Sequence, residues 1–223
     1  MAGKAWRGAF ACQRARYTPG VTVHSFFPTR VYAAPLLPEG GKALNDRLER
    51  ECRQLAHDDG AGRQWSAVNY AGGYTSYGSA NRMHTVSPTF AELERHLAAH
   101  VRDFSRVLGL DLRGRRLRMT DCWVNIMRHR AHHGLHLHPL STLSGTYYVR
   151  VPRGSPGLKI EDPRLDRMMA TPPRRADAEV SPWITLPATA GEILLFESWL
   201  RHEVVSNPSR TARISISFNY SWF

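Results

Sequence analysis

Two histidines separated by one residue are the part of this sequence from which chemistry can be inferred most directly. His136 and His138 lie in the segment Gly-Leu-His-Leu-His-Pro at residues 134–139. Side chains alternate between the two faces of a strand, so in an extended segment both imidazoles share one face while Leu135 and Leu137 point into apolar packing. Two neutral imidazoles on one face can converge on iron, zinc, copper or nickel. The alternative is a chance pairing, on a solvated strand, of two of the 11 histidines.

A metal site needs a third ligand, and His202 is the candidate. It follows the apolar run Ile-Leu-Leu-Phe at residues 193–196, which is typical of a buried strand. A late barrel strand at this position could face the early strand that carries His136 and His138. The three histidines are therefore predicted to form one metal site.

One charged and two hydroxyl side chains share a face of the last predicted strand. Arg213, Ser215 and Ser217 alternate with the apolar Ile214 and Ile216. A buried arginine is costly unless an anion meets it, and its planar fork matches a carboxylate, to which Ser215 could donate one more hydrogen bond. We therefore expect a carboxylate-binding site beside the metal. The alternative for Arg213 is a structural ion pair with a barrel carboxylate.

The elements that must position these residues are mostly strands. From Leu117 onward, short segments of alternating apolar and polar residues are separated by turn residues. Eight strands form a barrel or jelly roll. The predicted strands lie near 117–128, 134–139, 143–151, 157–161, 183–187, 192–196, 200–206 and 212–221. Between the fourth and fifth strands, residues 163–182 form a long segment of a kind that often serves as a lid or binding loop.

The residues before the barrel are predicted to support it. Leucines at helical spacing indicate a helix over about 42–57, ended by Gly60 and Gly62. Ser87 and Pro88 provide the N-cap and first turn of a second helix, whose apolar stripe continues to residue 108. The irregular segment 72–78 between them could be a binding loop or an ordinary turn.

The N-terminal part carries weaker signals. Residues 22–37 are rich in strand formers, but Pro28 and Pro35 confine them to the edge of a sheet. Residues 1–21 show no sustained period and are expected to form a loose arm. We therefore expect one domain at 22–223, with helical support over about 42–109 and a jelly-roll core over about 113–223.

Several ordered motifs together resemble a known family. They are His-x-His-Pro-x-Ser-x-Leu-Ser-Gly-x-Tyr-Tyr-Val at 136–149, Ala-Gly-Glu-Ile-Leu-Leu-Phe at 190–196, and Arg-Ile-Ser-Ile-Ser-Phe-Asn at 213–219. This pattern is similar to that of the small 2-oxoglutarate/iron(II) oxygenases of bacteria and phages, and the likeness covers roughly residues 25–223. It implies a mainly β fold of α+β type, a double-stranded β-helix (jelly roll) with supporting N-terminal helices.

The resemblance also implies a role for each matched residue. His136 and His202 correspond to iron ligands, and Arg213 with Ser215 corresponds to the pair that binds the distal carboxylate of 2-oxoglutarate. Tyr148 resembles a tyrosine that helps to hold this carboxylate, and Asn125 resembles a polar residue near the chelating end of the cosubstrate. The implied cofactors are Fe(II) and 2-oxoglutarate, used with O₂.

The sequence departs from the superfamily pattern at one ligand. His138 stands where His-x-Asp is usual, so a 2-His-1-carboxylate set would become three histidines. The strand period directs His138 toward the same point as His136, which favours it as a ligand. Alternatively, Glu161, Asp162 or Glu197 could supply a carboxylate ligand, with His138 outside the ligand set. The spacing of these residues in the sequence does not decide between the two possibilities.

The function implied is that of an iron- and 2-oxoglutarate-dependent dioxygenase that hydroxylates an unidentified substrate and releases succinate and CO₂. Two other functions fit the same residues. One is a three-histidine cupin-type metal enzyme that does not use 2-oxoglutarate. The other is a basic, non-catalytic jelly roll that binds nucleic acid or a protein partner.

The net charge and the cysteines bear on the partners and the location of the protein. The net charge of +11 allows a nucleic-acid partner, but no recognition motif accompanies it, so a solvated cationic surface is the favoured interpretation. Cys12, Cys52 and Cys122 are odd in number and widely separated, which fits neither a disulfide framework nor a zinc site. With no signal-peptide or membrane-spanning pattern, we expect a cytoplasmic protein. The sequence gives no indication of the oligomeric state.

Overall fold

The structure is a computed structural model, and it describes residues 20–22, 24, 26–170, 172–173, 175 and 181–223. Most of the predicted N-terminal arm, with Cys12, lies outside the described residues. So do residues 171, 174 and 176–180 of the predicted 163–182 loop, including Arg174. The described part of that loop contains a short 3-10 helix at Leu165–Met168.

The described residues contain ten strands, which form two sheets. They are β1 (Val31–Pro35), β2 (Gly73–Thr75), β3 (Leu117–Met127), β4 (His133–His136), β5 (Leu143–Arg150), β6 (Leu158–Glu161), β7 (Trp183–Leu186), β8 (Glu192–Glu197), β9 (His202–Val204) and β10 (Arg213–Trp222). One sheet has the order β1-β8-β5-β10-β3-β2, and the other has the order β4-β9-β6-β7. The pairings within both sheets are antiparallel.

The eight strands predicted from the period-two pattern are all present, from β3 to β10. They are divided between the two sheets in the manner of a double-stranded β-helix: β3, β5, β8 and β10 lie in the larger sheet, and the other four form the smaller one. The edge position predicted for the proline-containing strand is also confirmed, since β1 is the first strand of the larger sheet. The jelly-roll prediction is therefore confirmed.

In the described part of the chain before the barrel there are four α-helices: α1 (Lys42–Asp58), α2 (Gly60–Asn69), α3 (Met83–Val86) and α4 (Pro88–Leu108). Both predicted helices, α1 and α4, are present, and Ser87 caps α4 by accepting a hydrogen bond from the Phe90 amide. The prediction that Gly60 and Gly62 merely end a helix was wrong. Asp59 accepts a hydrogen bond from the Gly62 amide and so begins α2, with both glycines in its first turn.

The larger sheet has a different environment on each face. On its outer face, Ile214, Ile216 and Phe218 of β10 are fully buried in one core with Leu48 of α1 and Leu97 of α4. Burial of side chains of this size stabilises the fold by roughly 1.5–3 kcal/mol each. The alternate residues of β10 face the space between the two sheets, where the candidate site lies. No helix within the described residues is both long and apolar enough to cross a membrane.

Candidate metal centre

Two of the three predicted histidines face each other across a strand pair. His136 is the last residue of β4, His202 is the first of β9, and the two are directly opposite partners. Their ring centroids are 4.4 Å apart. His138 lies two residues beyond the end of β4, where its backbone amide donates to the carbonyl of Ser198 at 3.0 Å. Its centroid is 5.2 Å from that of each other histidine.

The potential ligand atoms of these three histidines converge. One nitrogen from each ring lies within 4.8 Å of the others, and Nε2 of His138 is 3.3 Å from Nε2 of His202. Two imidazole nitrogens that bind one metal at about 2.1 Å lie roughly 3 Å apart, so this spacing fits a shared ion. Within the described part of the chain, no other set of three or more histidine, cysteine, aspartate or glutamate side chains converges in this way.

The tautomers of two rings are fixed by backbone carbonyls. Nδ1 of His136 is 2.7 Å from the Gly134 carbonyl oxygen, and Nδ1 of His202 is 2.8 Å from that of Leu200. A carbonyl can only accept, so each Nδ1 must carry the proton and donate it. Each Nε2 is then left with a free lone pair. This is the arrangement by which proteins orient histidines that bind metals.

Burial keeps two of the rings neutral near pH 7. Burial, and after it the neighbouring His136, lowers the pKa of His202 to about 3 and that of His138 to about 4. A neutral imidazole is the form that binds a metal. The electrostatics of the cluster therefore agree with its geometry.

The carboxylates considered as alternative ligands are engaged elsewhere or lie apart from the cluster. A Glu161 oxygen is 3.0 Å from the Arg201 guanidinium, and Asp162 pairs with Arg164 at 2.9 Å. Glu197, at the end of β8, is not among the described residues that line the cavity around the histidines. The described part of the chain thus brings three imidazoles, and no carboxylate, to one point.

Arg213 opens onto the same cavity, which has a volume of about 450 Å³. The arginine is 3% exposed, and its Nε has no hydrogen-bond partner among the described residues. The alternative of a structural ion pair is not supported among the described residues, where the guanidinium contacts the Met127 sulfur, 3.8 Å from Nη1, and the Tyr148 ring, with its centroid 4.9 Å from Cζ. A buried cation left in this state favours an anionic ligand.

Other polar atoms around Arg213 also lack partners within the described structure. They are the hydroxyl groups of Tyr70 and Tyr148 and the Oδ1 atom of Asn125. Buried polar groups are nearly always hydrogen-bonded in native proteins, and a cluster of exceptions indicates a missing partner. An anion with several acceptor oxygens could accept from the guanidinium and from the Tyr70 hydroxyl, since both residues line the cavity. The donor set therefore fits a dicarboxylate such as 2-oxoglutarate.

Strand register brings the predicted anion-binding residues together. Ser215 of β10 is directly opposite Tyr148 of β5 on one side and Asn125 of β3 on the other. Asn125 donates through Nδ2 to the Ser217 hydroxyl at 3.0 Å. Ser215, Asn125 and Arg213 line the cavity, whereas Tyr148 is fully buried behind its wall and contacts Arg213.

Sequence reasoning missed Tyr70 and His133, which line the cavity beside the predicted site residues. Their rings pack with centroids 4.1 Å apart. A strand of strict period two would turn His133 away from His136, but a bulge changes the pairing from His133 with Val204 to His136 with His202. The bulge places one extra residue on β4, so that both histidines reach the cavity. Tyr70 follows α2, the helix that was not predicted because Gly60 and Gly62 lie in its first turn.

The irregular segment 72–78 is a cavity wall. Gly73–Thr75 forms β2 and pairs with β3, and both Thr75 and Tyr77 line the cavity. Of the two interpretations that the sequence allowed, the structure supports a segment that contributes to the site. The signal in the sequence was the resemblance of residues 72–77 to the same oxygenase family, since the segment shows no period of its own.

Comparison with known proteins agrees with the fold and identifies a family to which part of the chain is similar. Residues 121–219 match the family model described as "Putative 2OG-Fe(II) oxygenase". Comparison with curated protein sequences gave no match.

Solved structures share the architecture at low sequence identity. The α-ketoglutarate-dependent epimerase SnoN from nogalamycin biosynthesis has a TM-score of 0.60 and 14% identity, over 86% of this chain and 77% of its own. HygX from Streptomyces hygroscopicus has a TM-score of 0.57 and 14% identity, over 86% and 83%. A prolyl-4-hydroxylase from Pseudomonas putida has a TM-score of 0.50 and 17% identity, over 87% and 94%.

The matched segment extends from β3 to β10 and contains the three histidines, Arg213 and Ser215. At these identities the solved structures support the fold, and the family match supports the chemistry. Residues 121–219 of the chain therefore resemble 2OG-Fe(II) oxygenases, a family of 2-oxoglutarate-dependent non-haem iron enzymes.

Proposed function

We propose that His136, His138 and His202 hold the iron, that Arg213 and Ser215 bind the distal carboxylate of 2-oxoglutarate, and that the enzyme hydroxylates a substrate not yet identified. The observation that carries this proposal is that a convergent set of three imidazoles and a buried arginine without an anionic partner open onto one cavity. Bound iron and 2-oxoglutarate would supply the oxidising chemistry, in which O₂ is consumed and succinate and CO₂ are released.

The three histidines have a defined task. The carbonyls of Gly134 and Leu200 orient two of the rings so that Nε2 faces the cavity. Three neutral imidazoles leave the full +2 charge on Fe(II), and a dianionic cosubstrate would neutralise it. A site without a protein carboxylate is therefore suited to a dicarboxylate ligand, which the buried Arg213 also requires.

The residues around Arg213 orient the cosubstrate. The guanidinium offers a bidentate contact to a carboxylate, and Ser215 stands two residues along the same face of β10 to donate another hydrogen bond. Tyr148 packs against the guanidinium and limits its movement. The Asn125 amide donates to the Ser217 hydroxyl through Nδ2. Its Oδ1, on the other side of the amide, has no partner among the described residues, and the side chain forms part of the neighbouring cavity wall.

Two of the solved structures support the cofactor assignment. SnoN was crystallised with Fe³⁺ and α-ketoglutarate, and HygX with nickel and 2-oxoglutarate. Both share the fold of this chain, and we extend the same pair of ligands, a metal and a 2-oxoacid, to its cavity. Their own third ligands, nogalamycin RO and hygromycin B, are not assigned to this protein.

A single titration tests the proposal. Anaerobic addition of 2-oxoglutarate to the Fe(II)-loaded protein should produce the visible charge-transfer band of a chelated 2-oxoacid. If the native protein binds iron but gives no band, the cupin-type alternative without 2-oxoglutarate is favoured instead. A band of unchanged affinity in Arg213→Ala would refute the carboxylate assignment. Salt-sensitive oligonucleotide binding in place of the band would favour the nucleic-acid module.

The proposal also includes the domain organisation and the location of the enzyme. A single domain over 22–223 is supported by α1 and α4, which share one core with β10. A cytoplasmic location is supported by Cys52 and Cys122, which are buried free thiols in the described structure. Limited proteolysis would test the first point, because cleavage should leave the helices and barrel as one fragment.

A further inference from the structure

Aromatic side chains lead from the surface of the cavity to the metal-binding cluster. The rings of Trp65 and Tyr77 have centroids 6.2 Å apart, and Tyr77 meets Trp123 edge to face at 5.2 Å. Trp123 in turn lies 5.8 Å from the ring of His138. All of these residues line the cavity, and Tyr77 is 48% exposed. We refer to Trp65, Tyr77 and Trp123 as the aromatic wall.

The aromatic wall is separate from the site proposed for the cosubstrate carboxylate. Trp123 is directly opposite Ser217 of β10, which is four residues along that strand from Arg213. Four residues of strand span about 13 Å. The cavity therefore has room, beside the histidines, for a second ligand that does not compete for the arginine.

The lining of this second region is uncharged. Ser217 and its cross-strand partner Thr146 both border the cavity and carry hydroxyl groups. Among the described residues that line the cavity there is no aspartate, glutamate or lysine, and Arg213 is the one arginine. An ionised group on a ligand would lose water here without gaining a partner of opposite charge.

The aromatic wall is held in place by tight packing and by a hydrogen-bond network. A Cβ atom at Gly78 would lie 2.5 Å from the Trp65 ring, so only glycine allows this approach. The Asp59 carboxylate accepts hydrogen bonds from Tyr74 and Ser79, on either side of Tyr77. The wall is thus formed before any ligand arrives, which lowers the entropic cost of binding.

We infer that the substrate is an uncharged, ring-containing molecule whose flat face packs on Tyr77 and Trp123 and whose polar substituents bond to neutral groups such as Ser217 and Thr146. The inference rests on the proposed function, because it places the substrate beside the proposed iron ligands. A phenolic ring and a pyranose ring both offer a flat apolar face with polar edges, and the experiment below distinguishes them.

Saturation-transfer NMR on the Zn(II)-loaded protein with saturating 2-oxoglutarate tests the inference. Zinc is diamagnetic and also accepts imidazole ligands. The probes are phenol, methyl β-glucopyranoside and tyramine, which carries an ammonium group on a phenolic ring. Saturation transfer to the ring protons of phenol or of the glucoside is expected, whereas tyramine should bind more weakly than phenol. Transfer to phenol alone identifies an aromatic substrate, and transfer to the glucoside alone identifies a saturated ring.

Three variants assign the binding to the aromatic wall. Tyr77→Leu should weaken binding of the responding probe about three- to tenfold, the range expected for loss of one aromatic contact. Tyr77→Phe keeps the ring and should match the parent. Trp199→Ala is the surface control, because Trp199 is 46% exposed and is not among the cavity-lining residues described.

Several results would overturn the inference. They are tyramine binding as tightly as phenol, unchanged affinity in Tyr77→Leu, or no transfer to any probe while the 2-oxoglutarate protons still receive saturation. Failure of the proposed function gives a different result, because 2-oxoglutarate itself would then show no transfer in the parent protein.

Discussion

His136 and His202 are directly opposite each other on β4 and β9, and each ring donates its Nδ1 proton to the carbonyl two residues earlier in the chain. The two rings are therefore oriented by backbone carbonyls, one within β4 and one in the connection between β8 and β9. This arrangement requires no additional side chain to select the tautomer, and it exposes two Nε2 lone pairs to one point in the cavity.

Loss of a histidine from the cluster should remove most of the metal affinity. We expect His202→Ala to lower the affinity for Fe(II) by at least about 100-fold, since loss of an outer partner of a ligand alone costs about 10- to 100-fold. Anaerobic metal titration measures this effect. The matched control is His57→Ala, whose side chain is 84% exposed on α1 and which should bind iron like the parent. Equal affinities in the two variants would contradict the assignment.

The ligand role of His138 has its own test. His138→Asp introduces the carboxylate that is usual in the superfamily, and we expect the variant to retain Fe(II) binding because a carboxylate can replace an imidazole at the same position. His138→Ala should bind the metal more weakly than His138→Asp. If both variants bind Fe(II) like the parent, His138 is not a ligand.

Arg213 should determine the affinity for the cosubstrate. Replacement by alanine removes charge-assisted hydrogen bonds worth about 1.5–3 kcal/mol, so the dissociation constant of 2-oxoglutarate should rise roughly 10- to 100-fold. The charge-transfer titration gives this value directly. Arg150→Ala serves as control, because Arg150 lies on the neighbouring strand β5 but pairs with Glu49 on the surface. A similar loss in both variants would indicate a general electrostatic effect.

Tyr70→Phe should have opposite effects on stability and on binding. The Tyr70 hydroxyl is buried and has no hydrogen-bond partner among the described residues, so its removal relieves a desolvation penalty of about 1–3 kcal/mol in the free protein. We expect a raised melting temperature without ligand and a smaller increase on addition of metal and 2-oxoglutarate. An unchanged ligand-induced increase would show that Tyr70 takes no part in binding the cosubstrate.

Asp59 should make the protein sensitive to acid. Burial opposes its ionisation, but hydrogen bonds from Ser79, from the Gly62 amide and from Tyr74 outweigh it, and the pKa of the carboxyl lies below its ordinary value. A lowered pKa stabilises the fold above the unfolded pKa of about 3.9, and this stability is lost as the pH falls through the folded pKa.

The comparison of Asp59→Asn with the parent isolates this carboxylate. The amide can still cap α2, so the variant should be less stable than the parent at pH 7, and the difference should disappear as the pH falls through the lowered pKa of the folded protein. Thermal unfolding across this pH range measures it. A difference that persists in acid would mean that the variant loses packing rather than charge.

The elements that were predictable from the sequence are those in which apolar residues recur with a single period. Period two located β3 to β10, and the separation of Arg213 from Ile214 on the two faces of β10 followed from it. The position of His138 was only partly predictable, because it reaches the cluster from an extended segment after β4 rather than from the strand. His133 was hidden by a bulge, which leaves no mark on a single sequence.

Two glycines explain why α2, and with it the position of Tyr70, was not predicted. Gly60 and Gly62 usually interrupt helices, and here they open α2 because Asp59 supplies a cap. Tyr70, at the end of that helix, was therefore not placed near the site. The segment 72–78 was ambiguous for a related reason, since its role depends on pairing with β3, a contact more than 40 residues away in the sequence.

The two faces of β10 also have a consequence for folding fidelity. Displacement of this strand by one residue would exchange Arg213 for Ile214 and Ser215 for Ile216, sending charge and hydroxyls into the helix-covered core. Molecules with such a mispaired strand would lose the core and the cosubstrate site together. The same register of β10 is thus required for helix packing and for the active site. Chains with a misplaced β10 should therefore be unstable rather than folded and inactive.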